Sequence, residues 1–85
     1  MMYRVILSRK AKKSLPKLPK AYQLKVRNVI ASLKLDPYIG KKLEGKYKND
    51  YSVRIWPYRI VYTIKKKELV IEVIEIESRG QAYKK

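Results

Sequence analysis

Apolar and polar residues alternate most regularly over positions 51–64, Tyr-Ser-Val-Arg-Ile-Trp-Pro-Tyr-Arg-Ile-Val-Tyr-Thr-Ile, on both sides of Trp56-Pro57. A period of two marks half-buried strands, and the interruption reads as a hairpin turn. Tyr51, Val53 and Ile55 share one face of the first strand, and Tyr58, Ile60, Tyr62 and Ile64 share one face of the second. With the turn centred on Trp56-Pro57, Val53 lies opposite Ile60 and Ile55 opposite Tyr58, so the apolar faces coincide. Pro57 fixes a negative φ, which excludes a two-residue type I′ turn and leaves a four-residue loop or a cis-proline turn. Either keeps the facing parity. The same register sets Arg54 directly against Arg59 on the opposite face.

Residues 2–7 predict a first strand. Ser8 is a good N-cap for a short helix with apolar positions Ala11, Leu15 and Leu18, which Pro16 ends, tightens or kinks near 14–15. Pro19 suits the first turn of a second helix. There Tyr22, Val26, Val29, Ile30 and Leu33 form one apolar stripe, Lys20, Lys25, Arg27 and Lys34 are left toward water, and Asp36-Pro37 stops the helix. Positions 38–50, with Gly40 and Gly45, read as a loop. After the hairpin come a turn at Lys65-Lys66-Lys67 and a last strand over 69–76. That strand changes face: Leu69, Ile71 and Val73 follow one parity, Ile74 and Ile76 the other. Either both its faces are covered or a bulge lies near Val73-Ile74. The tail over 78–85 is polar and basic. With no repeat, low-complexity segment or internal boundary, residues 1–85 form a single domain. The predicted order is β-α-α-β-β-β, an α+β two-layer fold. A helical hairpin packs on one face of a small, mostly antiparallel sheet, and Arg54 and Arg59 lie on the other, partly open face.

Charge sharpens this picture. Twenty-two Lys and Arg against seven Asp and Glu leave +15 on 85 residues. Such an excess destabilises an isolated fold by self-repulsion and points to a polyanion, an acidic protein, or both as partner. Residues 1–35 carry ten of the cations and no acid, whereas Glu68, Glu72, Glu75 and Glu77 gather near the C-terminus. Like charges facing each other across a strand pair cost ~0.2–1 kcal/mol. A fold tolerates Arg54 against Arg59 when the pair has an anion to hold.

The chain has neither Cys nor His. Disulfides, thiolate metal sites and Ser-His or Cys-His nucleophiles are therefore excluded. The acids show no loop cluster suited to a metal, so neither metal nor cofactor is expected. What remains for chemistry is arginine, lysine and tyrosine. These can bind phosphate, stabilise charge on it, and move a proton where a Tyr or Lys pKa is lowered by neighbouring cations. No apolar run approaches ~18 residues and no leader pattern is present, so a cytoplasmic protein without a membrane partner is expected.

The order of several short motifs resembles the RelE/ParE family of prokaryotic toxins, the toxic halves of toxin–antitoxin operons. It lies in Ser8-Arg-Lys-Ala after a first strand, Lys-Leu-x-Gly at 42–45, Tyr-x-Val-Arg at 51–54, Tyr-Arg-Ile-Val-Tyr at 58–62, and Arg79 followed by Tyr83. No one motif is specific; their order and spacing, running nearly end to end, carry the resemblance. It implies the two-layer fold of that family and a toxin neutralised by a cognate acidic antitoxin. The family divides into RelE-like endoribonucleases, which cut mRNA on the ribosome, and ParE-like inhibitors of DNA gyrase. On the first branch the resemblance implies metal-independent cleavage by attack of a ribose 2′-OH, with Arg54, Arg59, Arg79 and Tyr83 as catalytic residues. A lysine common in that branch two residues before Arg54 is Ser52 here. Contacts to ribosome and RNA are expected from Arg9, Lys10, Lys12, Lys13, Lys17, Lys20, Lys41, Lys42, Lys46 and Lys48.

The same residues also admit plainer roles. Arg54 and Arg59 also read as ordinary strand arginines paired with glutamates, Arg79 as a cap on the sheet end, and Tyr83 as an antitoxin contact. Tyr22, Tyr58 and Tyr62 read as core. Trp56, at the hairpin tip, reads equally as a stacking platform or a packing residue. A ParE-type gyrase inhibitor and a plain basic RNA-binding module are the alternatives to the nuclease.

Overall fold

A computed structural model describes residues 2–43 and 50–78 of the chain. It contains β1 (Arg4–Leu7), α1 (Arg9–Ser14), a 3-10 turn (Leu15–Lys17), α2 (Lys20–Leu35), β2 (Lys41–Lys42), β3 (Asp50–Ile55), β4 (Tyr58–Lys65), a second 3-10 turn (Lys66–Glu68) and β5 (Val70–Ser78). The strands form one sheet in the order β1-β5-β4-β3-β2. All neighbours are antiparallel except β1 and β5, which run parallel. The helices pack on one face. Their buried Ala11, Val26 and Leu33 meet Ile60, Tyr62, Ile71, Val73 and Ile76 of the sheet in a single core. Among the described residues no helix is long and apolar enough to cross a membrane.

Local chemistry explains the element ends. Ser8 caps α1, its hydroxyl accepting from the Ala11 N–H at 3.0 Å. Pro16 tightens the chain into the 3-10 turn that follows. Pro19 stands at the cap position, one residue ahead of α2 rather than in its first turn. The Trp56–Pro57 peptide is cis, and the hairpin pairs Val53 with Ile60, Arg54 with Arg59 and Ile55 with Tyr58. The loop expected over 38–50 is interrupted by β2, whose Lys41 and Lys42 pair with Ser52 and Tyr51. Two residues are too few to show a period, which is why hydrophobic patterning misses this strand.

The face change of the last strand is a bulge. Val61 pairs with Glu75 but Tyr62 with Val73, leaving Ile74 as the extra residue. The same residue ties down the first helix: Ser8 donates its hydroxyl to the Ile74 carbonyl at 2.7 Å, beside the bond from its own N–H to the Val73 carbonyl. Beyond the bulge, Ile76 joins the core while Glu75 and Glu77 turn to the open face with Arg54 and Arg59.

Tyr62, fully buried, fixes the segment leading to β2. Its hydroxyl donates to the Pro37 carbonyl at 2.7 Å and accepts from the Gly40 N–H at 3.1 Å. The backbone passes so close that a Cβ on Gly40 would stand 2.6 Å from the Tyr62 hydroxyl and 2.7 Å from the Ser52 carbonyl oxygen. Glycine is needed here for the approach. Burial pushes the Tyr62 pKa above the ordinary 10.0, against the opposing pull of the Gly40 N–H. A phenol that stays protonated longer in the folded chain contributes stability fully present below pH 10.0, and that contribution is lost as pH rises toward the folded-state pKa.

Tyr62→Phe orphans a buried carbonyl and an amide, so it is expected to cost about 1–3 kcal/mol, or several degrees in Tm. Melting followed from neutral pH to beyond pH 10 checks both parts. The gap between parent and variant should narrow in the alkaline range, where the buried phenol penalises the parent.

Candidate active site

β3 and β4 place two arginines side by side because the hairpin register requires it. Arg54 and Arg59 are Cα partners on the face turned away from the helices. Around them lies a cavity of about 580 Å³ lined by Lys41, Lys42, Leu43, Ser52, Arg54 and Arg59. Four of those six side chains are cationic. Lys41 enters through β2, where it stands directly across the ladder from Ser52. A cation therefore neighbours position 52, supplied by the adjacent strand. The arrangement suits an oxyanion held by charge-assisted hydrogen bonds, with a hydroxyl among the cations.

One acid also reaches this site. Arg59 pairs across to Glu77 on β5, and both its Nε and an Nη donate to Glu77 Oε1, at 3.0 and 2.6 Å. Both side chains are about 30% exposed, so the pair is neither dry nor freely solvated. A guanidinium has five N–H donors, and Glu77 takes two. Three remain, enough for a two-point hold on a phosphate from another edge. The carboxylate both fixes the plane of the guanidinium and offsets part of its charge. Pairing with a glutamate was the rival reading of Arg59, and that pairing is what the fold contains. Lysine pairs belong to its neighbours on the strand, Lys10 with Glu75 and Lys65 with Glu72, each at 3.4 Å.

The remaining candidates divide. Arg9, Lys10, Lys12 and Lys13 lie exposed on α1, Lys17 on the 3-10 turn after it, and Lys20 at the start of α2. They form a basic surface apart from the cavity lining. Arg79, Tyr83, Lys46 and Lys48 lie outside the described residues. Trp56 is 61% exposed at the hairpin tip. Of the three tyrosines expected in the core, Tyr62 lies there and Tyr58 is half-buried against it, whereas Tyr22, also half-buried, packs edge-on against Tyr58 at 5.1 Å outside the core. Sequence reasoning missed Glu77. The signal was present, because the face change at Ile74 combined with the hairpin register turns Glu77 toward the arginine face.

Over residues 5–83 the chain matches the family described as ParE toxin of type II toxin-antitoxin system, parDE. Among solved structures it is similar to the toxin–antitoxin complex RelBE2 from Mycobacterium tuberculosis, with 25% identity, a TM-score of 0.84, and coverage of 93% of this chain and 100% of that one. An archaeal RelE–RelB complex from Pyrococcus horikoshii OT3 is 30% identical, with a TM-score of 0.81 over 95% of this chain and 99% of that one. The isolated E. coli RelE toxin, at 23% identity and a TM-score of 0.80 over 89% and 83% of the two chains, shares the fold. No curated protein sequence matches the chain.

The charge geometry makes a test that needs no assay of activity. Arg54→Gln relieves a cross-strand repulsion of ~0.2–1 kcal/mol and should raise Tm by a degree or more while weakening polyanion binding. Glu77→Gln should do the reverse on both counts, lowering Tm and tightening binding severalfold. Differential scanning fluorimetry with and without heparin reads both variants.

Proposed function

Because the chain belongs to the RelE/ParE family of toxins of type II toxin–antitoxin systems, we propose that it is a ribosome-dependent mRNA endoribonuclease of the RelE type. The observation supporting this reading is the opposed Arg54–Arg59 pair, set with Lys41 and Lys42 around one open cavity. A protein that acts only by occupying another's surface has no need to converge four cations on one concavity.

In the proposed reaction the ribose 2′-oxygen attacks the adjacent phosphorus. The new P–O2′ bond forms as the P–O5′ bond breaks, leaving a 2′,3′-cyclic phosphate and a 5′-hydroxyl. The 2′-OH proton passes to a base, and a proton is delivered to the departing 5′-oxygen. Arg54 and Arg59 hold the non-bridging oxygens and strengthen their hold as charge builds there; losing one such contact typically costs ~10²–10³ in rate. Glu77 keeps Arg59 aimed with three donors unspent. Lys41 supplies, from β2, the cation that Ser52 lacks. Arg79 and Tyr83 carry the roles that the family resemblance implies, a third phosphate contact and a stacking or proton-transfer group. The exposed cations of α1 and its following turn dock on ribosomal RNA. A cognate antitoxin, acidic and folding on contact, binds the same basic chain.

The second reading is a ParE-type gyrase inhibitor. Ser52 and the Arg59–Glu77 ion pair favour it, since both lower the positive charge at the cavity. Primer extension on a translated transcript after expression of the toxin alone separates the two readings. Translation-dependent cuts are expected. Growth arrest with intact messages and gyrase-dependent DNA breaks would replace the first reading with the second. Arg59→Ala should abolish cleavage with little loss of ribosome binding. Neutralising Lys12, Lys13 and Lys17 should weaken binding and flatten its salt dependence by about 0.7–0.9 in slope per lost phosphate contact.

Lys41 is tested by moving its charge. Lys41→Ala is expected to slow cleavage about a hundredfold. Ser52→Lys in that background should restore most of the rate, as measured by single-turnover cleavage on programmed ribosomes. Failure of Ser52→Lys to rescue would show that the cation acts from β2 alone or not at all.

A further inference from the structure

Tyr38 is an exposed aromatic ring on a segment held with unusual firmness. Its own N–H donates to Asp36 Oδ1 at 3.0 Å, the preceding Pro37 carbonyl accepts from the Tyr62 hydroxyl, and Gly40 donates back to that hydroxyl. Three hydrogen bonds, two of them to a core side chain, thus fix the loop that carries a ring 47% open to solvent. The ring meets Tyr51 edge-on at 5.8 Å, and Tyr51 stacks on the buried Tyr62 at 5.7 Å. An aromatic ladder therefore runs from the core to the surface and ends in an exposed, pre-positioned ring.

Beside this ring lies a second cavity, of about 450 Å³, lined by Tyr38, Lys42, Tyr51, Thr63, Ile64 and Lys66. It has aromatic walls, a threonine and two lysines, and no acid among the described residues that line it. Thr63 has an acid as Cα partner on each side, Asp50 on β3 and Glu72 on β5; Glu72 is paired with Lys65, and Asp50 can accept from a base amino group or a ribose hydroxyl. Lys42 lines this cavity and the arginine cavity alike. From Arg59 to Thr63 is four residues along β4, or about 13 Å at the ordinary strand rise. About four stacked nucleotides at ~3.4 Å each, or fewer extended ones, cover that distance.

We propose that the Tyr38 cavity is a nucleotide subsite. It takes one base of the single-stranded RNA whose phosphate occupies the arginine cavity, with the base stacked on Tyr38 and its phosphate held between Lys42 and Lys66. The proposal rests on the RNA reading above and extends it, since the site would select by what can stack beyond the cut rather than at it. Aromatic platforms flanked by cations bind single strands in this way because every base offers a π-face while the lysines track the backbone.

The probe is a short oligoribonucleotide, 2′-O-methylated so that it cannot be cut, titrated into isotope-labelled protein and followed by NMR. Shifts are expected around both cavities. Tyr38→Ala should weaken binding about tenfold, one base's worth of stacking, while loss of the edge contact to Tyr51 lowers Tm by only a few degrees and leaves the protein folded. Tyr38→Phe should bind like the parent, and Lys66→Ala should lose part of the affinity and of its salt dependence. Unchanged affinity in Tyr38→Ala, or shifts confined to Arg54 and Arg59, would overturn the subsite and leave the arginine cavity standing. Shifts around Tyr38 without any at Arg54 and Arg59 would keep the subsite and overturn the phosphate role of the arginines. Absence of shifts at either cavity would overturn both.

Discussion

One extra residue in the last strand decides how this domain is wired. β5 pairs on one side with β1 in parallel and on the other with β4 in antiparallel, and it must bury Ile71 and Val73 before the bulge and Ile76 after it. Those positions cannot share a face in an unbroken strand of period two. Without the bulge at Ile74, keeping Ile71 and Val73 inside would carry Glu75 and Glu77 into the apolar core, at the cost of burying two carboxylates. With it, both acids reach the cationic face. The Ile74 carbonyl at the bulge accepts from the Ser8 hydroxyl, so the cap of the first helix is anchored to the irregularity that orients Glu77.

The open face consequently holds a balance of charge rather than a bare positive patch. Each of three successive outward acids on β5 pairs with its own cation, two of them from β4 and one from α1: Glu72 with Lys65, Glu75 with Lys10 and Glu77 with Arg59. Two of these pairs are long and well exposed, and contribute little to stability. The Arg59–Glu77 pair is different in kind, because two donors converge on one oxygen and the guanidinium is held in a defined plane. It softens the repulsion between Arg54 and Arg59 in the free protein. On the proposed reading, an incoming phosphate meets an arginine already oriented and competes with a carboxylate for it.

Much of this was legible in the amino-acid pattern, and the reasons differ by element. The hairpin register followed from alternation around Trp56-Pro57, since both strands are long and half-buried, and it set Arg54 against Arg59 directly. The parity break at Val73-Ile74 allowed either two covered faces or a bulge, and the pairing with β4 decides for the bulge. What did not follow is what depends on pairing between distant segments. β2 has two residues, both lysine, with no period and low strand propensity; it exists because Tyr62 and Gly40 pin the preceding loop and the β3 edge offers free ladder groups. Its consequence, a lysine facing Ser52, was hidden with it. The place of Glu77 depends on two features together, the face change at Ile74 and the hairpin register, and neither alone turns it toward Arg59. Tyr62 was correctly read as core, but its hydroxyl has a separate task that hydrophobic patterning does not register.

The position of Lys41 bears on how a departure from a family pattern should be weighed. A cation at a cavity is defined by where its charge sits, and a sheet offers two routes to one place: along the strand, or across the ladder at a spacing of about 5 Å. Ser52 removes the charge by the first route, and Lys41 returns one by the second, at the same level of the sheet. The substitution does carry a mechanical consequence. A lysine on β3 is backed by β4, whereas Lys41 stands on an edge strand two residues long, held in register by the Tyr62–Gly40–Pro37 bonds. On the proposed reading, the electrostatics of the cavity therefore depend on a core tyrosine that never touches the substrate. The same bonds hold Tyr38 beside the second cavity, so on that reading one buried hydroxyl positions both the cation of the first site and the stacking ring of the second.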